Sequence, residues 1–143
     1  MAENPNAAGT WATLRIWGDD LDPATISTHL ALTPSRAFKR GDIRGQHGVW
    51  RHGCWGLTSE DQVFSTDLAL HIAWVLDKLE PVQLQLQALR EDPGISADVF
   101  CFWASATGNG GPVFSPTLLG RLAALNLVLG LDIYFVGEDC DSP

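Results

Sequence analysis

The segment "RAFKRGDIRGQHGVWRHGCWGL", Arg36 to Leu57, gathers the residues best equipped for chemistry. Arg36, Lys39, Arg40, Arg44 and Arg51 are five of the nine Lys/Arg in the chain, beside one acid, Asp42. Arginine forks suit bidentate contact with carboxylate or phosphate, and Trp50 and Trp55 add flat stacking surfaces. That combination points to an anion or an acidic partner. The competing reading is a solvated loop whose charges neutralise the domain's own acids. His47, His52 and Cys54 offer three metal-type ligands, but their spacing matches no established zinc pattern and a fourth ligand is missing. No metal or cofactor is therefore expected.

A second constellation comes from strand phase. Read as strands, "WATLRIWG", "ISADVFCFWAS" and "LVLGLDIYFV" each have two faces. One face reads Leu14, Ile16, Val99, Cys101, Ile133 and Phe135, and belongs under helices. The other reads Thr13, Arg15, Trp17, Ser96, Asp98, Phe100, Phe102, Asp132 and Tyr134. Rings this numerous call for a cover, whether the basic arm, a second subunit or a ligand. Arg15, Asp98 and Asp132 are expected to pair on it, since an unpaired covered charge costs several kcal/mol. Two carboxylates acting as acid and base is the lesser alternative.

Other motifs are weaker. "TGNGGP" before a helix reads as a turn rather than an anion cradle. In "GDDLDP", Asp22 is a helix cap, and calcium needs more ligands. There is no G-x-S-x-G elbow and no phosphate-binding G-x-x-x-x-G-K-[ST] loop. His29 and His71 lie on helices with no Ser or Cys neighbour that the sequence assigns.

These residues need elements to position them. The strand Trp11–Gly18 leads to a helix with Asp22 as cap and Pro23 first, stopped by Pro34. The arm's glycines favour turns, so it reads as a hairpin whose last strand spans Val49 to Thr58. "STDLALHIAWVLDKLEP" is a helix with Leu68, Ile72, Val75, Leu76 and Leu79 as its stripe and Ser65 or Thr66 as cap. "VQLQLQALRED" fits strand and helix, and helix is preferred. Ser115 caps a helix that Asn126 ends, and a final strand follows. Strand, then Asp-Pro or Ser-Pro, then helix, occurs twice, over Trp11–Leu32 and Ile95–Asn126. The expected fold is α+β: a mostly antiparallel sheet with helices on one face, built from ferredoxin-like duplicated strand–helix–strand units. Residues 10–137 form one domain, 1–9 a flexible tail and 138–143 a second tail.

Composition narrows the function. The chain has 143 residues, 45% hydrophobic and 18% charged, with net charge −8. The arm carries a local +4, which leaves −12 on the rest. Such a balance repels nucleic acid and anionic membrane. Three scattered cysteines, no apolar run of membrane length and no signal-like start read as a cytoplasmic protein.

"RIWGDDLDPATISTHLALTPSRAFKRGD", then "CWGLTSE", "LALHIAWVLDKLEP" and "SPTLLGRLAALNLVLGLDIYF" follow in an order that resembles the bacterial family of unknown function called DUF4279. The likeness covers most of Trp11 to Val136. It implies an α+β fold and supplies no activity and no site residue. The expectation is a non-enzymatic binding or interaction module acting through the basic arm and the aromatic face, on a protein partner or its own copy. The alternative is a sensor or enzyme for a small anionic metabolite held by arginines. On either reading the candidate binding residues are Arg15, Arg36, Lys39, Arg40, Trp50, Arg51, Trp55, Asp98, Asp132 and Tyr134, and no catalytic residue is expected.

Overall fold

A computed structural model describes residues 3–135. The expected C-terminal tail, 138–143, lies outside them. Five strands, β1 (Ala7–Gly18), β2 (Arg36–Phe38), β3 (Gly53–Thr58), β4 (Ser96–Ser105) and β5 (Val128–Phe135), form one sheet in the order β2-β3-β1-β4-β5. The helices are α1 (Pro23–Leu30), α2 (Leu68–Leu79), α3 (Gln83–Arg90) and α4 (Pro116–Ala124), and a 3-10 turn over Glu80–Val82 joins α2 to α3. None of these helices is long and apolar enough to cross a membrane.

The sheet is mixed. β1 pairs antiparallel with β3 and β4, and β2 with β3, but β4 and β5 run parallel. Three of the four pairings are antiparallel, as in the mostly antiparallel sheet expected from sequence, and the β4–β5 pair is the exception. The cause is α4, which returns the chain over the sheet so that β5 lies beside β4 in the same direction. The repeat read from sequence is not symmetric either. β4–α4–β5 joins neighbouring strands, whereas β1 and β2 run the same way with β3 between them.

Capping chemistry sets the helix ends. Asp22 caps α1 by accepting from the Ala24 amide, and Ser115 caps α4 by accepting from Leu118. For α2 the cap is Asp67, not Ser65 or Thr66. Thr66 instead bonds Glu3, and its hydroxyl accepts from the Asn4 amide. With Ala7–Gly9 already in β1, residues 3–9 are therefore bonded into the fold rather than trailing from it. α1 ends at Ala31, in left-handed geometry, three residues before Pro34.

All the large buried side chains belong to one core between the sheet and the helices. Leu14, Ile16, Trp55, Val99, Cys101 and Trp103 supply its sheet side, and Leu68, Ile72, Val75, Leu76 and Leu79 of α2 the other. α2 packs across β1 and β4, α1 across β3, and α4 beside α2. Gly53 lets the backbone at Leu21 pass close to the start of β3: a Cβ on it would meet the Leu21 carbonyl oxygen at 2.1 Å. Among the described residues no helix covers the opposite side of the sheet, where Trp11, Trp17, Phe100 and Phe102 are half-buried.

Candidate functional site: the helix-free face

The register of the three long strands assembles this face. Arg15 lies opposite Asp98 on β4 and Gly56 on β3; Trp11 lies opposite Phe102, and Phe102 opposite Asp132. The Trp11 and Phe102 rings stack with centroids 4.2 Å apart, and Tyr134 follows 5.3 Å beyond Phe102. A second stack stands at the β2 side. Phe38 lies on Trp50 with centroids 3.6 Å apart and 14° between planes, and His52 meets both rings edge-on.

A groove of about 390 Å³ opens between the stacks. Trp11 bounds one side and Phe38 with Trp50 the other. Thr13, Gly56 and Thr58 lie among its lining residues, as do Arg15, Arg36, Cys54 and Glu60. The two arginines differ. Arg15 binds Asp98 through both ends of its fork, Nε to Oδ1 at 2.8 Å and Nη2 to Oδ2 at 2.6 Å. Its guanidinium also lies 4.1 Å from the Phe100 centroid and 5.2 Å from that of Trp17. The Asp98 hydrogen bonds, outweighing burial, raise the Arg15 pKa further. Arg36 sits over Phe38 and Trp50, at 5.4 and 5.3 Å, and makes no ion pair among the described residues. Burial pushes the Cys54 thiol up, against the pull of Arg36 and Arg15.

The expected three-member ion cluster is a pair. Asp132 faces Phe102, one strand beyond β4 and four positions along from Asp98, and forms no ion pair with Arg15. The pair is also only partly covered: the Arg15 side chain is 38% exposed and that of Asp98 13%. Tyr134, 42% exposed, ends the aromatic row at the sheet edge.

The basic residues scatter. The arm is a hairpin, tied by Gly41 N–H to Trp50 O, Trp50 N–H to Asp42 O and an isolated bridge between Ile43 and Val49. Its strand proper begins only at Gly53, and of the hairpin before it Trp50 and His52 line the groove on the helix-free face. Arg40 turns away to pair with Asp20 beyond the end of β1, where Lys39 also lies. Arg44 stacks on the outer Trp50 ring at 4.5 Å, and Arg51 is exposed. Trp55 must be removed from the candidate surface. It occupies the other face, fully buried, and its indole N–H donates to Ser27 Oγ at 2.9 Å. The reason is phase: Trp55 lies opposite Ile16, a helix-side residue, whereas Cys54 lies opposite Trp17.

Sequence reasoning missed Trp11 and Phe38 as the stack-forming rings, and it missed Gly56. Trp11 was legible: it shares the phase of Thr13 and Arg15. It also missed a buried pair, in which Ser59 Oγ lies 2.6 Å from His71 Nδ1. The Ala12 amide donates to the same oxygen, and His71 Nε2 lies 2.8 Å from Ser65 O. In that network Nε2–H donates to the Ser65 carbonyl, and Nδ1 shares a hydrogen bond with the Ser59 hydroxyl. Both residues are sealed from solvent, so the pair pins the loop after β3 to β1 and α2 rather than presenting a nucleophile. The 107–112 turn is tied down on both sides, Ser105 Oγ–H donating to Asn109 O at 2.7 Å and the Asn4 side-chain amide donating to Gly111 O at 3.0 Å. Among the described residues no three His, Cys, Asp or Glu side chains gather as a metal site.

No curated protein and no solved structure matches this chain. A family match runs over residues 7–136, which spans every strand and helix described above. The chain belongs to the family described as "Domain of unknown function (DUF4279)".

Proposed function

We propose that this chain is a non-enzymatic binding module that works through the helix-free face of its sheet. One observation carries the reading: a groove bounded by two ring stacks, Trp11–Phe102 and Phe38–Trp50, with Arg36 over the second. Half-exposed aromatic rings in such number are costly to leave wet unless something docks on them. The nearest approach to a nucleophile–base pair, Ser59–His71, is buried and fully bonded, which supports binding over catalysis. The reading includes a reducing, cytoplasmic setting, supported by the free thiols of Cys54 and Cys101. It also takes the first four strands as ferredoxin-like: β1–α1–β2 and β3–α2–α3–β4 each cross over one intervening strand, and α4 and β5 extend the edge.

The six tryptophans test this by their indole N–H resonances. Trp11, Trp17 and Trp50 lie on or beside the helix-free face, Trp55 and Trp103 are buried, and Trp74 is on α2. Screening a mixed library of small organic acids, amines and short peptides by ¹⁵N NMR is expected to shift the first three. Hits that move Trp74 alone, or that the protein chemically converts, would overturn the reading.

A homodimer is the second reading, favoured by the β5 edge. Val128, Leu131, Ile133 and Phe135 of this edge strand are 65%, 41%, 43% and 51% exposed. Unpaired apolar edges recruit another strand. Sedimentation equilibrium should then show a dimer that Ile133→Lys dissociates; a monomer at every concentration sinks it.

A further inference from the structure

Resting on the binding reading above, we infer that the groove takes a small molecule with a planar ring and a single carboxylate or phosphate, the anion on Arg36 and the ring between the two stacks. Three features lead to this class.

The first is the division of labour between the arginines. Arg15, Arg40 and Arg121 are each engaged by carboxylates. Arg36 lines the groove, held over two rings without one among the described residues. Ring contact orients a guanidinium and leaves its in-plane N–H groups free for a bidentate acceptor.

The second is Gly56. Its backbone does not require glycine, since its φ is outside the left-handed region, and neither does packing. A Cβ there would meet nothing closer than the Arg36 carbonyl oxygen at 3.6 Å, ordinary van der Waals contact. What the missing side chain does provide is depth, between Arg15 and Arg36, its cross-strand neighbours. Thr13 and Thr58, also small, are paired beside it.

The third is charge. Glu60 lines the same groove, and the chain carries −8 overall. One guanidinium against that background balances one anionic group. A polyphosphate or a nucleic-acid strand would meet net repulsion. A groove of about 390 Å³ also lies at the small end of ligand sites, which suits one or two fused rings.

The test uses four probes followed by ¹⁵N NMR on the Trp11 and Trp50 indoles: indole-3-acetate, uncharged indole-3-acetamide, ringless hexanoate, and adenosine 5′-monophosphate. Indole-3-acetate is expected to saturate both signals, with acetamide and hexanoate each at least roughly tenfold weaker. Comparing it with the adenylate separates carboxylate from phosphate as the natural anion. Arg36→Gln should weaken the better acid about tenfold. Gly56→Val should abolish binding, with an unchanged melting temperature showing the fold intact. Occupancy should also slow alkylation of Cys54, which lines the groove, and leave buried Cys101 unaffected. Equal affinity for acid and amide, or full binding by Gly56→Val, overturns the proposal. If the acids fail but other library members still move Trp11 and Trp50, the ligand class is wrong and the binding face stands. If nothing moves them, both fall.

Discussion

The two faces of this sheet are written in the same residues, one position out of step. In β4, Val99, Cys101 and Trp103 are fully buried beneath helices, while their neighbours Phe100 and Phe102 are half-exposed on the other side. Both faces are rich in large side chains, so hydrophobicity alone does not separate them. What separates them is closure. Over β1, β3 and β4 the helix side is buried, and removing atoms there leaves a cavity. On the helix-free side, rings stack in pairs and leave a channel between the pairs. The first face holds the molecule together, and the second presents it.

That contrast is sharpest in truncations of tryptophan. Trp55→Ala should cost about 3–5 kcal/mol, as for large core side chains. Trp11→Ala, which loses one stack at a half-open surface, should cost about 1 kcal/mol. Urea denaturation checks both, and equal losses would break the distinction between the faces. The arginines give the next largest effect. Arg15→Gln strips the partner from an Asp98 that is mostly covered, for a loss of about 1–2 kcal/mol, intermediate between exposed and buried pairs. Arg36→Gln should change stability by less than about 0.5 kcal/mol, as a surface site does; a larger loss would make Arg36 structural rather than available.

Smaller effects probe the sealed side. Trp103 Nε1 is buried with no hydrogen-bond partner among the described residues, whereas Trp55 donates to Ser27. Trp55→Phe should therefore be more destabilising than Trp103→Phe by about 1 kcal/mol, measured by thermal or urea unfolding. Smallest is the α2–α4 junction, where Arg121 bonds Asp77 and Glu80. Those bonds hold the Glu80 carboxyl below its ordinary value. A lowered folded pKa means its contribution is present above the unfolded value of 4.5 and is lost as pH falls through the folded one. Glu80→Gln should flatten acid-side stability by less than about 1 kcal/mol, because the pair is largely solvated.

Strand phase, the Asp22 and Ser115 caps and the α2 stripe were legible because each depends on neighbours in sequence. Asp22-Pro23 and Ser115-Pro116 announce their helices locally, and alternation in β4 sorts Phe100 from Cys101 without reference to the rest of the chain. Pairing was not legible. Nothing near Asp132 says that it falls opposite Phe102 rather than beside Arg15, because that depends on how far α4 carries the chain. Trp55 failed for a related reason. It looked like part of a basic arm, but Gly53 has already returned the chain to the sheet, and β3 imposes its own alternation. Charge clustering in sequence likewise said little about clustering in space. Arg36, Arg40 and Arg51 lie within sixteen residues, yet only Arg36 reaches the groove.

β1 occupies the middle of the sheet but comes almost first in the chain, and that order has a kinetic consequence. Its partner β3 begins 35 residues after it ends, and β4 begins at Ser96. At roughly 5–20 residues per second on the ribosome, the strand waits several seconds for its second neighbour. Long-range pairings of this kind fold slowly. The alternating apolar run Ala12, Leu14, Ile16 therefore stays without its full set of strand neighbours until β4 has been made.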